Sequence, residues 1–498
     1  MDVHNKDVAA IAAHVRVFYD CKEKFHIYHG STNSTRTTQF DRKKVIDTSR
    51  LSRVLKVDHY NKTVLVEPNV PMDRLVEKTM KHGLIPPVVM EFPGITVGGG
   101  FAGTAGESSS FKYGFFHCTI NWIEMVLANG DIVTASNTER SDLFHGAAGS
   151  FGTMGVTTLL ELKLIEAQPF VKLTYHPILS VEEGIQKIEE ARADSSTDYI
   201  DGILFGYDVG VIITGRLTDK TPIENQMQRF SRAKDPWFYL HVKKNLARHH
   251  YTSWTEAVPL KDYLFRYDRG GFWTGALAFK YFLTPFNRIT RWLLDPLMHT
   301  RVMYHALHKS GLSDSYIIQD LAVPYSAAPD LISYIDSTLD IYPLWLCPLL
   351  QMDNNNNKNF SMYPHTRTNT PLLNIGVWGP GSSTPLSLKT INRDLEKEVC
   401  FLSGIKWLYA QTYYTEAEFW DIYDRKSYDA LRAKYHATYL PSVFDKVRMK
   451  ENEDGKGDSS WRSWVVGNLK EVWPLRGLWG VLMAVMGGEY LLRGKKDA

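Results

Sequence analysis

Cysteine is scarce in this 498-residue chain: Cys21, Cys118, Cys347 and Cys400 lie far apart, with no C-x-x-C pair among them. That excludes a disulfide framework and a thioredoxin-type redox motif, and with no secretory apolar core at the N-terminus a reducing compartment is the natural reading. No His/Cys cluster has zinc spacing, the adjacent His249-His250 reads as a polar surface turn, and no metal site is expected. Charge of one sign is equally lacking. Lys and Arg number 57 against 55 Asp and Glu, a formal net charge of +2, and no basic cluster is interleaved with aromatics, so nothing points to nucleic acid. The uninterrupted apolar run from Leu478 to Gly488 falls short of the about 20 residues that crossing a bilayer takes. What is present is ordinary for a globular protein of two or three domains, with 44% hydrophobic and 22% charged residues. Aromatics reach 12%, and many fall after Phe170, which suits a large apolar pocket or a thick core.

The most informative stretch runs from Ile95 to Gly114, ITVGGGFAGTAGESSSFKYG. Its Gly, Ala, Ser and Thr residues let the backbone approach a ligand closely and leave N–H and hydroxyl groups for something anionic, as a loop cradling a large cofactor requires. Gly98, Gly100 and Gly103 satisfy G-x-G-x-x-G, with Glu124 about twenty residues on. A dinucleotide fingerprint must open a helix, however, and TAGESSSFKYG has no 3.6-residue apolar period. Upstream, FHIYHGSTNSTR from Phe25 to Arg36 breaks from an apolar run into a small polar loop suited to a pyrophosphate. Downstream, SDLFHGAAGSFGTMGVTTLLELKL from Ser141 to Leu164 is a glycine-punctuated turn feeding a strand.

These three blocks, in this order and spacing, resemble the FAD-binding domain of the p-cresol methylhydroxylase and vanillyl-alcohol oxidase superfamily. The run PPVVMEFPGITVGGGFAGTAGESSSFKYGFF, then WIEMVLANGDIV and SDLF, narrows the resemblance to the Diminuto/seladin family of FAD-dependent delta-24 sterol reductases. It continues through YDVGVIITG, DPWFYLHV, IYPLWLCP and EFWDIYD, covering residues from about 20 to 450. The resemblance implies an α+β chain: a two-subdomain FAD-binding domain, an α+β substrate (cap) domain and a C-terminal helical tail. It also implies FAD, NADPH as electron donor, a sterol substrate and peripheral placement on the endoplasmic reticulum membrane with the catalytic domain facing the cytosol. The charged N-terminus MDVHNKDVAAIAAHVRVFYD departs from the hydrophobic anchor of the animal members, so membrane attachment is expected elsewhere.

Periodicity divides the chain as follows. Residues 1–22 read as a helix with Val8, Ile11, Ala12, Val15 and Phe18 on one face. The FAD-binding part, 23–166, opens with strands at Val54 to Val57 and Thr63 to Glu67. It continues with a helix capped by Asn69 and stopped by Gly83, a strand ending near Val89, and a hairpin on Asn129-Gly130. From 167 to 449 strands alternate with amphipathic aromatic segments, beginning with a helix whose capping box is Ser180 and Glu183. The loop DNNNNKN near residue 355 reads as exposed and mobile. In 450–498 a polar linker precedes an amphipathic tail from Trp461 to Leu492 edged by Arg462, Lys470, Arg476, Arg493, Lys495 and Lys496. Two readings stand for it: an interfacial membrane anchor, or a helix docked on the protein's own body or on a partner in a homodimer.

The cofactor positions expected from the three blocks are His29, Gly30, Ser31, Thr32, Asn33 and Ser34 in the first, and Gly149, Gly152, Gly155 and Val156 in the last. The central block supplies Pro93, Gly94, Thr96, Val97, Gly98, Gly99, Gly103, Thr104, Glu107, Ser108, Ser109, Ser110, Tyr113 and Gly114. Matched to the superfamily pattern, Asn33 stands where a linking His would be and Phe92 where a linking Cys would be, which implies non-covalent FAD. A packed or hydrogen-bonded role is expected for His117 and Cys118. Reducing an isolated alkene takes a hydride and a well-placed proton donor, with an aromatic wall to tolerate developing positive charge. The candidates are Glu107, Lys112 and Tyr113 in the central stretch and Tyr409 and Tyr413 in WLYAQTYY, which the resemblance brings back to the flavin. A same-fold oxidase or dehydrogenase acting on an alcohol or lactone, and a flavin-stabilised membrane scaffold without turnover, are the competing readings.

Overall fold

The computed structural model describes residues 1–29, 42–220, 227–350, 371–381, 385–449 and 473–486. The polar loop Gly30–Ser34, the DNNNNKN loop and the tail outside 473–486 lie outside the described residues.

Val8, Ile11, Val15 and Phe18 recur at helical spacing, and helix Asp2–Cys21 buries all four against Ile46, Val126 and Val156 until Lys22 closes it at φ 55°. The sheet beneath is five-stranded and antiparallel, in the order Val54–Asp58, Thr63–Val66, Gly155–Lys163, Ile120–Leu127, Ile132–Ser136. Its Asn129-Gly130 hairpin is formed, with Gly130 at φ 87° and no room for a Cβ, which would sit 2.9 Å from the Ala12 carbonyl oxygen. Helix Met72–Met80 is capped by Pro71, not by Asn69. The Asn69 amide instead donates to the Thr48 carbonyl, tying two loops together, and the expected strand near Val89 shrinks to Leu84–Ile85.

The second sheet has eight strands, antiparallel at each pairing: Trp254–Pro259, Phe170–Ile178, Val209–Thr218, Tyr199–Gly206, Leu344–Leu349, Leu372–Pro380, Tyr316–Pro324 and Ile405–Lys406. Helices Val181–Ala193, Ala328–Leu339 and Pro385–Phe401 contribute to the core on one face, where Ile188, Ile332, Ile335 and Val399 meet Ile200, Leu321, Leu346 and Ile375. Because side chains alternate along a strand, Asp201, Asp320, Trp345, Asn374 and Trp378 emerge together on the opposite face, toward the five-stranded half. Ser180 caps its helix as expected, accepting from the Glu183 amide, although Glu183 reaches back to the Leu179 amide rather than to Ser180.

The N-terminal helix is pinned by a buried charge cluster. His4 Nδ1 lies 2.8 Å from Glu67 and Nε2 3.1 Å from Glu124, and Arg53 also bonds Glu67. Burial opposes a charge on His4, but its bonds to Glu124 and Glu67 outweigh that and raise its pKa from 6.5 to about 9. A raised histidine pKa contributes stability that is complete below the unfolded value near 6.5 and lost as pH rises through about 9. Replacing His4→Gln should therefore lower the unfolding free energy by roughly 3 kcal/mol at pH 6, the usual cost of stripping a buried pair. Urea titrations across pH 6 to about 9 should show the gap closing as pH rises; a constant gap would mean that His4 carries no charge in the fold.

Candidate functional site

Between the two sheets lies a cavity of about 1750 Å3. That exceeds the roughly 300–1,000 Å3 of a single-ligand pocket, as a site holding cofactor and substrate together must. One end is built from the N-terminal half. The stretch from Ile95 is not loop throughout: Thr96 accepts from the Gly99 amide and caps a short helix, Val97–Gly103, that ends at Thr104 with φ 49°. Gly98 and Gly100 owe their identity to close approach. A Cβ on Gly98 would fall 2.7 Å from Pro68 Cβ, and one on Gly100 2.4 Å from Met90. Gly103 differs: its absent Cβ would meet nothing within 4 Å, and it lines the cavity.

Of the residues expected at the cofactor, His29, Gly94, Thr96, Gly98, Gly99, Gly103, Glu107, Gly152, Gly155 and Val156 line this cavity. Pro93, Val97, Thr104, Ser108, Ser109, Ser110, Tyr113, Gly114 and Gly149 stand behind it or beside it. Ser109 donates to the Pro87 carbonyl, Ser110 accepts from the Glu107 amide, Ser108 Oγ is 3.4 Å from the Tyr263 hydroxyl, and Pro93 O accepts from Arg301. Gly114 and Gly149 serve turns at φ 71° and 74°. Glu124, the acid at ribose-binding distance in the sequence, is taken up by His4 and Thr158.

The proton-donor candidates separate. Lys112 lies 2.9 Å from Asp198 and 3.3 Å from the Thr197 carbonyl, with Tyr113 beside it, and neither lines the cavity. Glu107, Tyr409 and Tyr413 do. The segment carrying the tyrosines is brought back to the central stretch by Trp407, whose indole donates to the Thr104 carbonyl at 3.0 Å. Buried Glu396 holds it from behind, accepting from Lys406 at 2.6 Å, Thr412 at 3.0 Å and the Tyr413 amide at 2.9 Å. His117 and Cys118 are away from the cavity, His117 stacked on Phe115 and the Cys118 thiol pushed up to about 11 by burial.

The opposite end is the cavity-facing side of the eight-stranded sheet, buried between the two halves, and sequence reasoning passed over nearly all of it. Phe92, Phe272, Tyr304, Trp345 and Trp378 form an aromatic wall with Phe92–Phe272, Phe92–Trp378 and Phe272–Trp378 ring separations of 5.5, 5.6 and 4.6 Å. Beneath it Arg266 reaches Glu91 at 2.7 Å and Asp201 at 2.8 Å, stacked on the Tyr263 ring at 4.1 Å. One guanidinium cannot keep Glu91, Asp201 and Glu107 all ionised out of water. Burial, and then the neighbouring Glu91, push Glu107 well above the usual carboxylate range, while burial lifts Glu91 to about 8. Both shifts favour the protonated, uncharged form of these buried acids.

A second acid stands on the same face. Tyr409 donates to Asp320 at 2.6 Å and Asn374 donates to its other oxygen at 3.1 Å. Burial raises Asp320 from 3.8 to about 6 and keeps the Tyr409 phenol protonated well past its ordinary range. Gly376 makes the space, since a Cβ there would lie 2.9 Å from the Asp320 carboxyl and 3.2 Å from Trp345. Four cavity-lining residues, His29, Glu91, Asn374 and Trp378, each carry a buried polar atom, Nδ1, Oε2, Oδ1 and Nε1, without a hydrogen-bond partner among the described residues. The sequence signal for this end was slight: Glu91 is a lone carboxylate in the apolar run PPVVMEFPG, and FRYDRGGFW sets Arg266 among aromatics.

Comparison with known proteins agrees with this division. Residues 2–136 match an FAD binding domain. Over 400 residues the chain is 29% identical to the human Delta(24)-sterol reductase, covering 80% of this chain and 76% of that one. With the Delta(24)-sterol reductase of Arabidopsis thaliana it shares 26% identity over 447 residues, 82% of this chain and 77% of the relative. Similarity to cytokinin dehydrogenase 9 of Oryza sativa is confined to 174 residues, at 27% identity, 34% of this chain and 33% of the other. The chain is thus a relative of the Delta(24)-sterol reductases, with an FAD binding domain at its N-terminal end.

Proposed function

We propose that the chain is an FAD-dependent reductase of the delta-24 side-chain double bond of sterols, with NADPH as electron donor. The observation that carries this reading is a single cavity with glycine-built cofactor walls at one end and, at the other, aromatic rings interrupted by protonatable carboxyl groups. FAD fits the first end. His29 offers an unpaired buried nitrogen, Gly103 an open flank, and Thr96, Gly99, Gly152 and Gly155 closely spaced backbone. Residues 23–166 would hold it without a covalent bond, since Phe92 belongs to the aromatic wall, and 167–449 would hold the substrate.

When bound and reduced, FAD supplies hydride to one carbon of the alkene. The chain's own part is the proton. Tyr409 gives its hydroxyl proton to the other carbon and takes one from Asp320, so that the pair acts with the acidity of the carboxyl while the phenol never becomes a free phenolate. Phe92, Phe272 and Trp378 exclude water and face developing positive charge with ring π-density. Burial of Glu107 disfavours a charge there that would pin the substrate elsewhere. The same reading places the protein peripherally on the endoplasmic reticulum membrane with its catalytic part in the cytosol. Among the described residues no helix is long and apolar enough to cross a membrane.

Anaerobic mixing tests the reading. NADPH should bleach the flavin band, and a delta-24 sterol should restore it with a mass gain of two hydrogens; bleaching by an alcohol and recovery with oxygen would replace it with the oxidase reading. Acid precipitation should release all flavin into the supernatant, whereas colour in the pellet would reveal a covalent link. If Asp320 is the proton reservoir, single-turnover reoxidation should slow as pH rises above about 6, and Asp320→Asn should remove that dependence. Tyr409→Phe should reduce the rate by about 10²-fold or more with flavin content unchanged. A Tyr409→Phe enzyme with the parental rate would shift the role to Glu107.

A further inference from the structure

The tail helix Leu475–Met486 is docked, not free. Gly477, Gly480 and Ala484 form its buried stripe: a Cβ on Gly477 would fall 2.5 Å from the Tyr281 ring, and one on Gly480 2.4 Å from the Ala306 carbonyl oxygen. Arg476 donates to the Ser310 carbonyl at 2.7 Å, and Trp473 to that of Tyr281 at 2.7 Å. Docking leaves the other face outward, with Leu478 51% and Met486 72% exposed.

Immediately after Tyr281 and Phe282, the chain presents a second set of exposed apolar residues. Leu283 and Phe286 precede the short helix Arg288–Leu293, which buries none of its residues and shows Ile289 at 74% and Leu293 at 66% exposure. Trp473 and Gly477 touch Tyr281, so the two sets adjoin. A stable monomer seldom leaves so much clustered apolar surface in water. Neither 280–294 nor 473–486 contains an Asp or Glu, while Lys280, Arg288, Arg291 and Arg476 lie within them. Apolar side chains and tryptophans among unopposed cations match the interface of an anionic bilayer.

The cavity reaches this face. Arg476 of the docked helix and exposed Ser315 line it, as does Tyr304 of helix Thr300–Ser310, on which the docked helix rests. We propose that segment 283–293 and the docked helix together form one membrane-seated surface, through which an apolar substrate passes from an anionic bilayer into the cavity without crossing water. The passage rests on the sterol reading above; the surface does not.

Flotation of full-length holoenzyme with phosphatidylcholine vesicles, with and without phosphatidylserine, tests the surface. Binding should need phosphatidylserine and weaken with salt. Either Ile289→Glu/Trp292→Glu or Leu478→Glu/Leu482→Glu should lower it by about tenfold or more, whereas Ile132→Glu, an exposed apolar site on the hairpin, should leave it within about twofold. Unchanged binding by the first pair would overturn the composite surface. So would a parent enzyme that binds no vesicles and is a dimer which these substitutions split. For the passage, turnover on vesicle-borne sterol should fall with binding while turnover on detergent-dispersed sterol holds; equal vesicle turnover despite lost binding would overturn it. A parent enzyme inactive on both sterol forms would count against the reductase reading, and flotation would still decide the surface.

Discussion

Arg266 is the interaction on which the site depends. Its guanidinium joins Glu91, from the approach to the glycine-rich helix, to Asp201 on the eight-stranded sheet, with both partners buried. Two oppositely built halves are thereby held in one relative placement by a charge cluster that no water screens. The cost of burying such a cluster is high, and replacement by apolar residues is often neutral or stabilising for folding alone. Its retention is better explained by what it does to the neighbouring acids. With one buried cation shared among several carboxyl groups, burial raises both Glu91 and Glu107, which favours their uncharged forms in a low-dielectric site.

The alternation of the eight-stranded sheet then makes the cavity chemically two-sided. Odd and even positions along Tyr316–Pro324 and Leu372–Pro380 send leucines, isoleucines and valines to the helices and Asp320, Asn374 and Trp378 to the cavity. A one-residue slip in register would exchange the two sets. Gly376 belongs to the same arrangement, because it is the missing side chain there that leaves Asp320 and Trp345 their space.

Local signals in the sequence were legible where chemistry is local. The N-terminal helix, the Asn129-Gly130 hairpin, the Ser180 cap and the glycine blocks around the cofactor end were all read from neighbours within a few residues. Asn69 was misjudged because its amide answers a carbonyl 21 positions away. Gly98 was read as cofactor-facing and does line the cavity, yet it is Pro68 that leaves no room for a Cβ there, which composition cannot distinguish from ligand contact. Lys112 was read as a proton-donor candidate, and folding sets Asp198 beside it, away from the cavity. The aromatic wall gathers rings from Phe92 to Trp378 and the Asp320–Tyr409 pair joins residues 89 positions apart, and no periodicity within one strand announces its partner on another.

The tail shows the same limit from the other side: in Leu475–Met486 small residues dock the helix on the body while its large residues stay outward, so docking does not exclude a membrane-facing role. The account stands or falls on whether substrate, cofactor and proton meet at the Asp320–Tyr409 pair. A crystal structure of the holoenzyme with a saturated-side-chain sterol product would decide it most directly. The account predicts the product's side chain between the glycine-rich wall and Phe92, Phe272 and Trp378, with the Tyr409 oxygen at contact distance from its reduced carbons. A product side chain bound away from Tyr409, with that hydroxyl still closed on Asp320 and out of reach, would contradict it.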